Sequence, residues 1–140
     1  MKYKRTSRDE ISKLVTTART YSRDARVESL SPGTQFQLAY ESARMWSEIV
    51  TRAEGQRLSS RARHHERIIR NLAAIVGPEM ENIADYLGAV RKRRHLIMYE
   101  GAISEVSPDD VAELMKVLDE LEKRVIEWLE SNHPDLLPLL

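Results

Sequence analysis

Residues 107–132 read SPDDVAELMKVLDELEKRVIEWLESN, and this stretch decides the fold class. Ser107, Pro108 and Asp110 form the Ser-x-x-Asp start of a helix. The serine hydroxyl and the aspartate carboxylate satisfy free N–H groups of the first turn, and proline fits there because it has no N–H to leave unpaired. Val111, Leu114, Leu118, Leu121, Val125 and Leu129 follow at coiled-coil-like spacing, which places them on one side of a helix reaching about Asn132.

Upstream of this helix the same periodicity recurs four times. From about Ser7 to Arg26, Ile11, Leu14, Val15, Ala18 and Tyr21 make one apolar stripe. Ser31-Pro32 then signals a second helix, running to about Glu54, with Phe36, Ala39, Tyr40, Ala43, Trp46 and Val50 inward. A third, from about Ser60 to Val76, turns Ile68, Ile69, Leu72, Ala73 and Val76 to the core, and Gly77-Pro78 ends it. A fourth, from about Glu79 to Met98, uses Ile83, Tyr86, Leu87, Val90 and Ile97, with Gly101 in the loop beyond. Trp46, Trp128, Tyr40 and Tyr86 read as packing residues. Five amphipathic helices with short connections predict an all-α antiparallel bundle with an up-and-down four-helix core. One domain over residues 1–140 is expected. Its tail, residues 133–140 with the run DLLPLL, either packs back on the bundle or meets a partner.

Composition narrows the function classes. Apolar residues make up 41% and charged residues 31%, a globular mixture, and no apolar run is long enough to span a membrane. The N-terminus MKYKRTSRDE lacks the apolar run of a signal peptide, which makes the cytoplasm the expected compartment. Without cysteine there is no disulfide, thiolate metal site or cysteine nucleophile. The 22 basic and 22 acidic residues cancel, so bulk charge gives no argument for nucleic acid. They are nevertheless unevenly placed. Residues 57–104 hold nine Lys/Arg against five Asp/Glu, and residues 105–140 hold three against ten.

The segment that can carry chemistry is RKRRHLIMYEG, residues 91–101. At about 100° per residue, Arg94 lies about 40° from Val90, inside the apolar stripe of its helix. Arg91 and His95 stack on the flank of that stripe and Tyr99 continues their row, while Lys92 and Arg93 read as ordinary surface charge. A core-facing guanidinium without a partner is costly. Arg94 therefore either pairs with an acid such as Glu66, Asp85 or Glu100, or opens with His95 and Tyr99 onto a functional cleft.

Arg94-His95-Leu96-Ile97-Met98-Tyr99 resembles the signature of the HEPN family, in which Arg and a polar residue precede three variable residues and a His. Residues 39–43 (AYESA) resemble the family's Ala/Tyr-rich helix, residues 53–57 (AEGQR) its exit, and the final long helix is also characteristic. The resemblance implies a helical bundle that pairs into homodimers with two signature helices facing across a composite cleft. Many members are metal-independent ribonucleases, often toxins in toxin–antitoxin or antiphage systems. Others bind nucleotides or stand as inactive partners beside a nucleotidyltransferase.

By position, Arg94 matches the signature arginine and His95 the polar residue, but Tyr99 stands where active ribonucleases have histidine. A histidine exchanges protons near neutral pH, whereas a phenol, ordinarily titrating near pH 10, is a poor base there. Arg91 with His95 restores an Arg–His pair at a shorter spacing. Catalytic candidates are accordingly Arg94, His95 and Tyr99.

Arg57, Arg61, Arg63, Arg67 and Arg70 recur at the start of the third helix. With Arg91, Arg57 and Arg61 are candidates for phosphate contacts, against the plainer reading that the row pairs with the acidic last helix. His64 and His65 diverge by about 100° on a helix, so a metal would need Glu66 or His95 as well; no metal and no cofactor are expected. There is no nucleophile elbow and no Gly-rich phosphate loop.

Three functions follow. The first is a HEPN-like homodimeric module that binds RNA or a nucleotide without catalysis, in a toxin–antitoxin or defence system with an antitoxin or nucleotidyltransferase partner; the tyrosine favours it. The second is a metal-independent endoribonuclease, in which Arg94 stabilises the phosphate charge and His95 or Tyr99 moves the proton. The third is a structural dimerisation bundle.

Overall fold

A computed structural model describes residues 2–3, 6–57 and 64–137, with the side chains of residues 2, 3, 56, 57, 64 and 65 left out. Five helices pack together: α1 (Arg8–Ala25), α2 (Pro32–Ala53), α3 (His64–Ile75), α4 (Glu81–Tyr99) and α5 (Pro108–Asn132). The expected all-α bundle is observed. Its one addition is a two-residue antiparallel pairing of β1 (Lys2–Tyr3) with β2 (Gln56–Arg57), for which the sequence carries no pattern.

Helix starts follow the capping chemistry. Ser7 accepts from the Glu10 N–H and Ser31 from the Thr34 N–H. At α5 the box closes in both directions: the Ser107 hydroxyl accepts from the Asp110 N–H at 3.1 Å, and the Asp110 carboxylate accepts from the Ser107 N–H at 2.9 Å. The predicted start of the fourth helix shifts by two residues. Pro78–Met80 forms a 3-10 turn after Gly77, and α4 begins only at Glu81. After α4, Gly101 takes a left-handed conformation (φ 71°) that lets the chain leave the helix.

The expected stripes are the core. Ile11, Val15, Ala18, Phe36, Tyr40, Trp46, Ile68, Leu72, Leu87, Val90, Ile97 and the whole predicted row of α5 are buried in one cluster. Truncating a residue such as the fully buried Leu118 to Ala is expected to cost about 2–5 kcal/mol, the transfer term plus the cavity. Helix α2 is the central element, packing against the other four helices. Ser42 donates to the Ala18 carbonyl of α1 at 2.6 Å and Ser47 to the Ala43 carbonyl one turn back, whereas the Trp46 indole N–H and the Thr51 hydroxyl are buried without a hydrogen-bond partner among the described residues.

Ion pairs fix directions. Arg19 meets Glu122 at 3.3 Å and Arg26 meets Asp119 at 2.6 Å, so α1 and α5 run antiparallel. Arg52 reaches Glu10 at 2.8 Å while Ser42 meets Ala18, so α1 is antiparallel to α2 as well. The acidic face of α5 is thus answered by α1. The arginines at the start of α3 play no part in that among the described residues, where Arg70 pairs with Glu66 on its own helix.

The tail turns back on the bundle. Pro134–Leu136 forms a 3-10 turn against α1 with Leu136 buried, and His133 sits 3.0 Å from Glu54 beside the Trp128 ring. Residues 138–140 lie outside the described part. No helix among the described residues is long and apolar enough to cross a membrane.

Candidate functional site

Helix α4 packs one side on the core through Leu87, Val90 and Ile97 and leaves the opposite side open. Arg94 lies on the inward side, as its angle to Val90 predicts. Its partner, however, is none of the three acids expected. The guanidinium lies 3.1 Å from Glu41 of α2 and over the Tyr40 ring at 5.4 Å, with its side chain 23% exposed. Glu41 accepts from Arg44 at 2.9 Å through its other oxygen, so one carboxylate holds two arginines. Glu66 pairs with Arg70 instead, and Glu100 follows the last turn of α4 out toward solvent. The difference is tertiary: α2 crosses α4 at this level and delivers an acid that no spacing within α4 reveals. The Arg94 Nε is buried without an acceptor, so this guanidinium is clamped at one end only.

Tyr40 is protonated throughout the physiological range, because burial pushes its phenol up to about 12 against the opposing pull of Arg94. It presents Arg94 with a neutral ring face, a favourable cation–π arrangement.

Arg93 is not ordinary surface charge. It binds Asp110 at 2.9 Å, donates to the Glu105 carbonyl at 3.2 Å and lies over Phe36 at 5.4 Å. It therefore extends the capping box of α5 to the end of α4. The hydrogen bond from Arg93, helped by the Ser107 N–H, holds the Asp110 carboxyl down at about 2.

The outward row is assembled otherwise. His95 and Tyr99 are both exposed and their rings lie 4.7 Å apart at an interplanar angle of 42°. Tyr99 is 70% exposed, the most open large apolar side chain among the described residues. Arg91 and Lys92 line a groove of about 440 Å³ with His95 and Leu96, and neither forms an ion pair among the described residues. This groove adjoins a larger one of about 500 Å³ between α3 and α4, floored by Ile69, Ala73, Ala84 and Gly88. The structure therefore brings Arg91, His95 and Tyr99 onto one face and sets Arg94 on another, turned toward α2.

Leu96 and Lys92, which join the groove, carry no sequence signal beyond their place on the helix. Glu41 lies within the AYESA segment, but only the packing of α2 against α4 makes it the arginine's partner. The side chains of Arg57, Arg61, Arg63, His64 and His65 lie outside the described residues. Among the described residues no group of three His, Cys, Asp or Glu is placed to hold a metal.

No family model, curated protein or solved structure matches the chain.

Proposed function

We propose that this chain is a HEPN-like RNA- or nucleotide-binding module of a toxin–antitoxin or defence system, working in the cytoplasm as a homodimer without catalysis. The observation that carries the reading is the division of α4 into two faces. Arg94, the residue that would neutralise a scissile phosphate, is already matched to Glu41, whereas the exposed His95–Tyr99 pair lies next to Arg91 and Lys92, which form no ion pair among the described residues. An aromatic surface for a base beside cations for a phosphate is the pairing that single-stranded nucleic acids require. Met98 (47% exposed), about 100° around α4 from Tyr99, adds apolar surface beside this strip and supplies a face for the second copy. An antitoxin or nucleotidyltransferase partner would compete for the same end.

Fluorescence anisotropy with short single-stranded RNA tests the reading. Binding that weakens with salt and is lost in Tyr99→Ala supports it, and absence of binding at low salt by a folded protein removes it. A metal-independent ribonuclease is the second reading, carried by the exposure of His95, a proton carrier that a substrate can reach. Cleavage in EDTA that disappears in both Arg94→Ala and His95→Ala would replace the first reading with this one.

A further inference from the structure

The charges along the exposed side of α4 are ordered, and their order limits what can lie there. From the start of the helix come Glu81, Ala84, Asp85 and Gly88, with Glu81 and Asp85 exposed, then Arg91, Lys92, His95 and Tyr99, with Glu100 just past its end. On a helix turning about 100° per residue, Glu81, Asp85, Gly88, Lys92, His95 and Tyr99 lie within about 80° of one another, so this is a single strip. Its cationic and aromatic portion, flanked by Arg91 and running to Tyr99, is about 12 Å long at 1.5 Å per residue. Stacked nucleotides advance about 3.4 Å each, so this portion accommodates about three to four of them.

Beyond Arg91 a polyanion would run along the α3–α4 groove, past Asp85 and Glu81, with Glu66 on the opposite wall already satisfied by Arg70. Past Tyr99 the helix ends, and Glu100 follows about 100° around from Tyr99. Asp85 is only about 9 Å along the axis from Arg91, within a Debye length at ordinary ionic strength, so a phosphate placed there is repelled.

We infer that the α4 face is a short, fenced site for a single-stranded segment of about four nucleotides or fewer, with Arg91 and Lys92 on the phosphates and the His95–Tyr99 pair on a base. This rests on the RNA- or nucleotide-binding reading above and specifies its ligand. Long strands gain nothing beyond the number of registers they offer, and a duplex, whose bases are already stacked on one another, does not engage the aromatic pair.

The test is anisotropy with oligouridylates of four, eight and sixteen nucleotides, each at a series of salt concentrations, on the full chain. The expected result is an affinity per register that agrees within about twofold for all three lengths. The slope of log K on log salt should be about −1.4 throughout, that of two phosphate contacts on a single strand. An affinity per register that climbs about tenfold from the tetramer to the hexadecamer, with a steepening slope, would overturn the fenced site while leaving the binding reading intact. Failure of every length to bind would overturn both.

Asp85→Lys supplies a second arm. Asp85 is exposed and outside the proposed contacts, so the tetramer should bind as before, while the octamer gains at least about threefold per register. An unchanged ratio of octamer to tetramer would show that Asp85 is no barrier and overturn the inference.

Discussion

Arg94 of α4 and Glu41 of α2 lie 3.1 Å apart in a half-buried pair, and the same carboxylate accepts from Arg44 at 2.9 Å. The pair draws Arg94 toward the core and away from the open face, where His95 and Tyr99 stand together. Removing the acid leaves two arginines with less compensation than they have now. Glu41→Leu should therefore destabilise the fold by about 1–3 kcal/mol, whereas Arg94→Leu together with Glu41→Leu should cost less than the sum of the two single changes. Urea denaturation of the four proteins of this cycle measures the coupling; strict additivity would mean that the pair contributes nothing.

Tyr99 is too exposed to hold the bundle together. Tyr99→Ala should leave urea stability within about 0.5 kcal/mol of the wild type. The same change should lower affinity for single-stranded RNA by about 1–3 kcal/mol, and Tyr99→Phe should retain it, because the contact is made by the ring and not by the hydroxyl. Equal losses in Ala and Phe variants would exclude stacking.

Asp110 joins the start of α5 to Arg93. Its carboxyl is held at about 2, below the ordinary value of 3.8, first by the hydrogen bond from Arg93. A depressed carboxyl contributes stability that is complete above the unfolded value, near pH 4, and is lost as the pH falls through about 2. Thermal melts of wild type and Asp110→Asn should differ above pH 4 and draw together between pH 4 and pH 2. Parallel curves across that window would show that the network does not couple to folding.

Two glycines should respond in opposite ways to alanine. At Gly33 an added Cβ would meet the Ile103 side chain and lie 2.6 Å from the Ile103 carbonyl oxygen, so Gly33→Ala should cost about 1–3 kcal/mol by overpacking. At Gly88, inside α4, no described atom lies within 4 Å of an added Cβ. Gly88→Ala should therefore stabilise the helix by about 0.5–1 kcal/mol. Chemical denaturation reads both, and destabilisation by Gly88→Ala would mean that a second chain occupies that groove.

The apolar side chains at the end of α4 bear on the proposed homodimer. Met98→Glu, placed at a half-exposed position, should shift the protein toward monomer in analytical ultracentrifugation with little change in the melt of the monomer. Identical sedimentation of the variant and the wild type would remove this surface from the interface.

Most of the bundle is legible in the sequence because its causes are local. The caps at Ser7, Ser31 and Ser107 satisfy N–H groups within three residues of themselves, and the stripes of α1, α2, α4 and α5 follow from a fixed turn per residue. Even the inward direction of Arg94 is readable from its angle to Val90. Only the tertiary structure decided what Arg94 meets there, that Arg93 reaches across to Asp110, that Leu136 folds back against α1, and that His95 and Tyr99 are left on an open face. Those outcomes depend on where helices distant in sequence cross. Periodicity within one helix can say which way a side chain points, but it carries no record of what another helix places in front of it.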